Sequence, residues 1–276
     1  MQEENTSTFS KDKTNTKETK MVQHISFSGF KIWDECPHRF KIEYIDGQKG
    51  FTGNIFTAFG TAIHEVCEKT LLNEWKTGEE AQNFSQSFQK EWESLDEDLK
   101  VEKDLDVFME QGKKLAPICI PELKKVFEGC EVVQTEMDLY ENIEGSNLKF
   151  KGFVDLILKN PKTGKYYIID WKTCSWGWDA RRKSDKITGY QLVFYKKFIA
   201  EKLQIDPKMI ECFFALLKRT AKKDQVEFVR ITTGDRKTRN ALEGLNKAVH
   251  FIEKGFYPKK KTSCLKCPFK GSQWCP

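Results

Sequence analysis

No apolar run in these 276 residues approaches the roughly 20 that a membrane-spanning helix needs. The N-terminus lacks the apolar core of a secretory signal, so neither a membrane nor a secreted protein is expected, and the expected location is cytoplasmic. No segment repeats at a fixed period, and no sharp linker divides the chain. The phosphate-cradling G-x-x-x-x-G-K-[ST] loop is missing as well, which excludes a P-loop nucleotide site.

What is present is the composition of a globular protein, 39% hydrophobic and 32% charged, in a chain long enough to bury a real core. The opening "MQEENTSTFSKDKTNTKETK" is polar and nearly devoid of apolar anchors. Residues 1–22 are therefore expected to form a disordered tail ahead of a single domain over 23–276. The net charge of +5 is mildly basic, and basic residues cluster at 181–183, 218–223 and 259–261. Such clusters suit nucleic acid, and they equally suit a solvated surface.

Nine cysteines without a secretion signal point to reduced thiols or metal ligands rather than disulfides. Cys67, Cys119, Cys130, Cys174 and Cys212 sit among apolar neighbours, as packing residues do. Cys264, Cys267 and Cys275 crowd the C-terminal segment 258–276, and Cys36 stands apart near the start.

Periodicity changes along the chain. Residues 26–45 show helical spacing, with Ser28 a candidate N-cap and a break at Pro37. Residues 56–75 read as a firm helix with Ile63, Val66, Thr70 and Leu71 on one face. Residues 79–128 carry further amphipathic helices and look like a helical insertion. From about residue 130, three strand-like runs form a meander, followed by a helix at 185–203, two more strands and a closing helix at 235–255. The expected fold is α/β or α+β, with one mixed central sheet flanked by helices.

Within the meander, "GFVDLILKNPKTGKYYIIDWKTC" raises a chemical question. If its two strands pair about "PKTG", a symmetrical register sets Asp155 opposite Asp170, with Cβ atoms about 4.5–5.5 Å apart. Lys172, two residues on, shares the face of Asp170. Two adjacent carboxylates repel, and a hard divalent cation such as magnesium or manganese resolves the conflict. An edge hairpin with a solvent-facing Asp–Lys ion pair is the plainer alternative.

"GFVDLI" followed by "IIDWKT" resembles motifs II and III of the PD-(D/E)XK nuclease superfamily, in its RecB-like branch. "FGTAIHE" resembles that branch's first helical motif, and "GYQLVFY" its Gln-x-x-x-Tyr helix. The resemblance runs from about residue 26 to the C-terminus and implies a restriction-endonuclease-like core. It also implies His64, Asp155, Asp170 and the Trp171 carbonyl as ligands of magnesium or manganese, with Lys172 as the catalytic lysine. Gln191 and Tyr195 would position the DNA strand or that lysine. Glu136, on the preceding strand, lies where some relatives carry a further acidic residue. Asp170 stands where many superfamily members have Glu, a choice common in the RecB-like branch.

The one-plus-three arrangement of Cys36 with Cys264, Cys267 and Cys275 resembles the iron–sulfur members of that branch, the CRISPR-adaptation nucleases and the nuclease domain of AddB. It implies a [4Fe–4S] cluster joining the two ends of the domain; zinc is the rival, since four thiolates suit it too. The interval between Cys267 and Cys275 is slightly longer than is usual in that family.

The expected activity is metal-dependent hydrolysis of DNA, by an exonuclease acting on ends or single strands. Trp176 and Trp178 are candidates to stack on bases. Expected partners are DNA and proteins of recombination, replication or CRISPR adaptation. The alternatives are a non-catalytic DNA-binding or assembly protein of the same fold, whose site would have lost ligands, and an RNA-directed nuclease.

Overall fold

The computed structural model describes residues 22–100 and 102–276, so the tail expected over 1–22 lies almost wholly outside the described residues. A short strand β1 (His24–Ser26) leads directly into α1 (Phe27–Glu35). The N-cap is Ser26, whose hydroxyl accepts the Gly29 N–H at 3.1 Å, and not Ser28, which lies within the first turn. The expected break falls at Cys36, whose extended backbone separates α1 from α2 (Pro37–Phe40); a π-helical turn follows over Lys41–Ile45.

Helix α3 (Ile55–Leu71) opens with a capping box. Asn54 accepts from the Phe56 and Thr57 N–H groups, and the Thr57 hydroxyl receives the Asn54 N–H. Ile63 and Val66 are fully buried along it, so the face that carries the core is fixed and His64 falls beside it. Next come α4 (Glu80–Glu93) and α5 (Glu102–Val126). α5 runs through Pro117 and Pro121, although an interior proline costs a helix about 3 kcal/mol. Leu115, Ala116, Cys119, Ile120 and Leu123 are all buried around these prolines, and that packing carries the helix through them.

The meander consists of β2 (Glu131–Asn142), β3 (Lys149–Lys159) and β4 (Tyr166–Cys174). Helices α6 (Ala180–Ser184) and α7 (Lys186–Lys202), capped by Asp179 and Asp185, lead to β5 (Ile210–Lys218). β6 (Val226–Ile231) and α8 (Asp235–Glu253) complete the fold. β3 is flanked along its length by β2, and on its other edge by β1 at its start and β4 at its end. The sheet continues through β5, parallel to β4, to β6, antiparallel to β5. It is thus a six-stranded mixed sheet with helices on both faces.

One face packs against α1, α7 and α8 through residues such as Phe150, Val154, Ile168 and Phe214. The other packs against α3, α4 and α5 through Leu156, Leu158, Ile169 and Trp171. Val154 and Leu156 therefore contribute to opposite cores although strict alternation would place them on one face. The pleat slips at Asp155. Across from it, between the pairs Thr135↔Leu156 and Met137↔Val154, Glu136 adopts a left-handed backbone with φ 43°. No described helix is long and apolar enough to cross a membrane.

Candidate functional site

The β3–β4 register runs Leu156↔Ile169 through Lys159↔Tyr166, so its continuation sets Asp155 beside Asp170. The ladder stops one pair short of these residues. There the Asp155 carboxylate takes over the role of a strand acceptor and receives the Trp171 N–H at 2.7 Å. The β3–β4 pairing ends at this point, and β1 takes up the same edge of β3 only at its start.

Asp155 Oδ2 lies 3.6 Å from His64 Nδ1 on α3. His64, Glu136 and Asp155 each offer a ligand atom within 4.8 Å of the others, and the Trp171 carbonyl lies against the His64 ring. Asp170 enters from the α7 side. Gln191 Nε2 donates to Asp170 Oδ1 at 2.7 Å and lies 3.2 Å from Tyr195 Oη. Lys172 Nζ approaches Asp170 Oδ2 to 2.5 Å. That ion pair is close but poorly angled, and this oxygen of a carboxylate only 1% exposed has no well-formed hydrogen bond. Gly152 makes room for the cluster, since a Cβ there would meet the Tyr195 ring at 2.9 Å.

The electrostatics suit a cation. Burial, reinforced by neighbouring carboxylates, raises Glu136 to about 7. Burial also lifts Asp155 and Asp170 to about 6 each, against the opposing pull of Lys172. His64 is driven down to about 4 by burial and by the Lys172 charge, so its ring is neutral and free to coordinate at pH 7. Burial works against the Lys172 ammonium, but Asp170 and Asp155 outweigh it and raise its pKa. Hard carboxylate oxygens and one neutral imidazole gathered within 4.8 Å fit a divalent metal of the magnesium or manganese type.

Two acidic neighbours complete the cluster. Glu136, whose backbone is left-handed, brings a carboxylate oxygen within 4.8 Å of the ligand atoms of His64 and Asp155. Glu68, one turn beyond His64 on α3, adds its charge to both Glu136 and Asp155. Its signal in the sequence is the i,i+4 spacing from His64. Of the two tryptophans after β4, Trp176 is exposed, whereas Trp178 is buried against Phe214 with Arg182 over its ring.

The four separated cysteines come together at one place in the fold. Cys36, Cys264, Cys267 and Cys275 line one cavity together with His38 and Arg39. The C-terminal segment is tied there by the Lys260 N–H to Cys36 Sγ at 3.4 Å and by Lys260 Nζ to the Asp34 carbonyl at 2.7 Å. Among the described residues, no three of these thiols lie within 4.8 Å of one another. Zn–S bonds of about 2.3 Å in a tetrahedron need sulfurs roughly 3.8 Å apart. A cluster in which each sulfur binds its own iron tolerates the wider spread.

The sequence profile of the PD-(D/E)XK nuclease superfamily matches residues 24–276. Among solved structures, a candidate exonuclease from Eubacterium rectale superimposes with a TM-score of 0.54 at 13% identity, over 84% of this chain and 82% of its own. At that identity the likeness is one of fold. The SSO0001 protein aligns over 92% of this chain and 87% of its own at 13% identity, with a TM-score of 0.40. No curated protein matches the sequence.

Proposed function

The chain belongs to the PD-(D/E)XK nuclease superfamily, and from that premise we propose a RecB-like, metal-dependent deoxyribonuclease that acts as an exonuclease on DNA ends or single strands. The observation that carries this reading is the set His64, Glu136 and Asp155, whose ligand atoms lie within 4.8 Å of one another, beside the Asp170–Lys172 ion pair, which stands outside that set and which Gln191 holds through Asp170. A non-catalytic relative has no need to keep that set together. The fold shared with a candidate exonuclease is in keeping with it.

In this reading His64, Asp155, Asp170 and the Trp171 carbonyl hold magnesium or manganese. Such an ion supplies Lewis-acid polarisation of the phosphodiester and a lowered pKa for the attacking water. The protein's own groups do the rest. Gln191 fixes the rotamer of Asp170 and, through it, the ammonium of Lys172. Lys172 stays protonated and balances negative charge that develops on the phosphate. Tyr195 braces the Gln191 amide, and exposed Trp176 offers a stacking surface for a single strand.

The same reading assigns one nuclease domain to 23–276 in the cytoplasm, with the helical insertion at 79–128 and the cysteine segment at 258–276. It assigns a [4Fe–4S] cluster to Cys36, Cys264, Cys267 and Cys275. Support for a shared centre comes from the four thiols lining one cavity.

The test is a panel of single- and double-stranded DNA and RNA, labelled at either end, with magnesium or manganese. Stepwise shortening of DNA that EDTA stops is the expected result. Full cleavage by a folded Asp170→Ala protein overturns the site assignment.

A further inference from the structure

Arg219 is 6% exposed, yet its charge has no acidic partner among the described residues. Its guanidinium lies over the rings of Phe108, Phe56 and Phe59, at 4.3, 5.2 and 5.5 Å from their centroids. Its hydrogen bonds are to neutral oxygens: Nη1 donates to Gln111 Oε1 at 2.8 Å, and Nη2 to Ser175 Oγ at 3.0 Å. A guanidinium has five N–H donors, so about three remain unused. A buried charge is costly unless an opposite charge meets it. This one borders an open groove of about 700 Å³ between α5 and the β5–β6 turn.

The groove's other cations are Lys114 and Lys222, and the Thr220 hydroxyl lies beside them. Of its acidic residues, Asp106 and Glu110, the second is already paired with Lys113 at 3.0 Å. The groove is close to the proposed metal site. Arg219 donates its backbone N–H to the Cys174 carbonyl at 2.9 Å, and Cys174 lies two residues, about 7 Å, beyond Lys172 on β4. Phe59 precedes His64 by five residues on α3, about 8 Å of helix. A nucleic-acid strand lying in this groove would be within a few nucleotides' length of the proposed metal site.

We propose that Arg219, with Lys222 and Lys114, forms a second phosphate-binding subsite that grips the DNA backbone away from the scissile bond. This rests on the nuclease reading above. Three phenylalanine rings surround the guanidinium, and its unused donors suit a phosphate entering from the adjoining groove. The phosphate is either internal to the strand or a terminal monoester.

The experiment measures binding of fluorescein-labelled single-stranded DNA, with and without a 5′-phosphate, to the cleavage-deficient Asp170→Asn protein across a salt series. Adding Arg219→Met, which keeps packing against the phenylalanines, should weaken binding about tenfold at low salt. It should also reduce the slope of log K against log salt by about 0.7. Lys222→Ala, on an exposed turn, should reduce the slope in the same way, and it decides the matter should the methionine variant fail to fold. A loss confined to the 5′-phosphorylated strand assigns the terminal phosphate, and a loss on both strands assigns an internal one. Unchanged affinity and slope in a folded Arg219→Met protein, or in Lys222→Ala where the former is unfolded, overturns the subsite. If the parent protein cleaves DNA normally, that result leaves the nuclease reading standing. Failure of the parent itself to bind or cleave DNA removes the reading, and the subsite with it.

Discussion

Asp155 accepts the Trp171 N–H at 2.7 Å, in place of the backbone carbonyl that a continuing ladder would supply. One carboxylate therefore closes the strand pairing and faces His64. The two roles separate by substitution. Asp155→Ala leaves the Trp171 N–H without its acceptor and should cost about 1–3 kcal/mol of stability as well as cleavage. Asp155→Asn keeps an acceptor oxygen, so it should melt near the parent temperature while still losing metal binding and activity. Thermal melts beside a cleavage assay check the pair. Equal destabilisation by Ala and Asn would contradict the acceptor role.

Gln191 reaches the chemistry only through Asp170, whose Oδ1 it holds at 2.7 Å. Removing such a supporting group typically costs 10–100-fold in metal affinity or activity. Gln191→Ala should therefore lower cleavage by about 10-fold or more, with part of the loss recovered at high manganese concentration. Tyr195→Phe, which takes away only the brace on the amide, should cost less. Metal titrations of both variants distinguish a weakened site from a slowed chemical step.

Much of this arrangement was legible in the sequence. The hairpin register followed from the symmetry of Asp155 and Asp170 about the "PKTG" turn, because a two-residue side-chain period leaves little freedom. Burial along α3 followed from helical spacing alone. Other features needed tertiary information. Ser26 rather than Ser28 caps α1 because β1 pairs with the start of β3 and fixes where the chain turns. The passage of α5 through two prolines depends on core packing. The left-handed backbone of Glu136 has no local signal, since glutamate is not a residue that favours it. Arg219 lay within a basic cluster that read as surface or nucleic-acid contact; only the fold shows one of those charges buried among three phenylalanines.

The raised carboxylates give a signed pH dependence. Asp155 and Asp170 sit at about 6 and Glu136 at about 7, above ordinary unfolded values. Their contribution to metal-free stability is fully present below the unfolded pKa and is lost as pH rises through 6 to 7. His64, lowered to about 4, acts oppositely: its contribution is present above about 6.5 and is lost as pH falls toward 4. Three carboxylates outweigh one imidazole, so between pH 5 and 8 the metal-free parent should lose stability relative to a Glu136→Gln, Asp155→Asn double variant. Magnesium or manganese competes with the protons on these groups. Binding near pH 6 should release roughly two protons per ion, and binding near pH 8 almost none. Calorimetry in two buffers of different ionisation enthalpy measures this directly. Proton uptake, or no proton exchange at pH 6, would contradict the assignment.

The cysteines supply the last prediction, because Cys36 is separated from its proposed partners by more than two hundred residues yet lines their cavity. Anaerobically purified protein should be brown and carry about four irons per chain. Cys36→Ser should bleach it as fully as a change at Cys264, Cys267 or Cys275, since the cavity joins all four sulfurs. A centre that forms only in the folded state stabilises that state by linkage, so each of these variants should also melt at a lower temperature. Cys67→Ser or Cys212→Ser should behave differently: both thiols are fully buried in the apolar cores, so stability should fall while iron per folded chain stays unchanged. Cleavage by the cluster variants should decline with folding and recover when the protein is stabilised by low temperature, because no cysteine belongs to the proposed metal site between β3 and β4. Colourless protein with one zinc would transfer the cavity to the rival metal and require the four sulfurs to close in. Full iron content in Cys36→Ser would place the fourth ligand elsewhere, and His38, which lines the same cavity, would be the next residue to change.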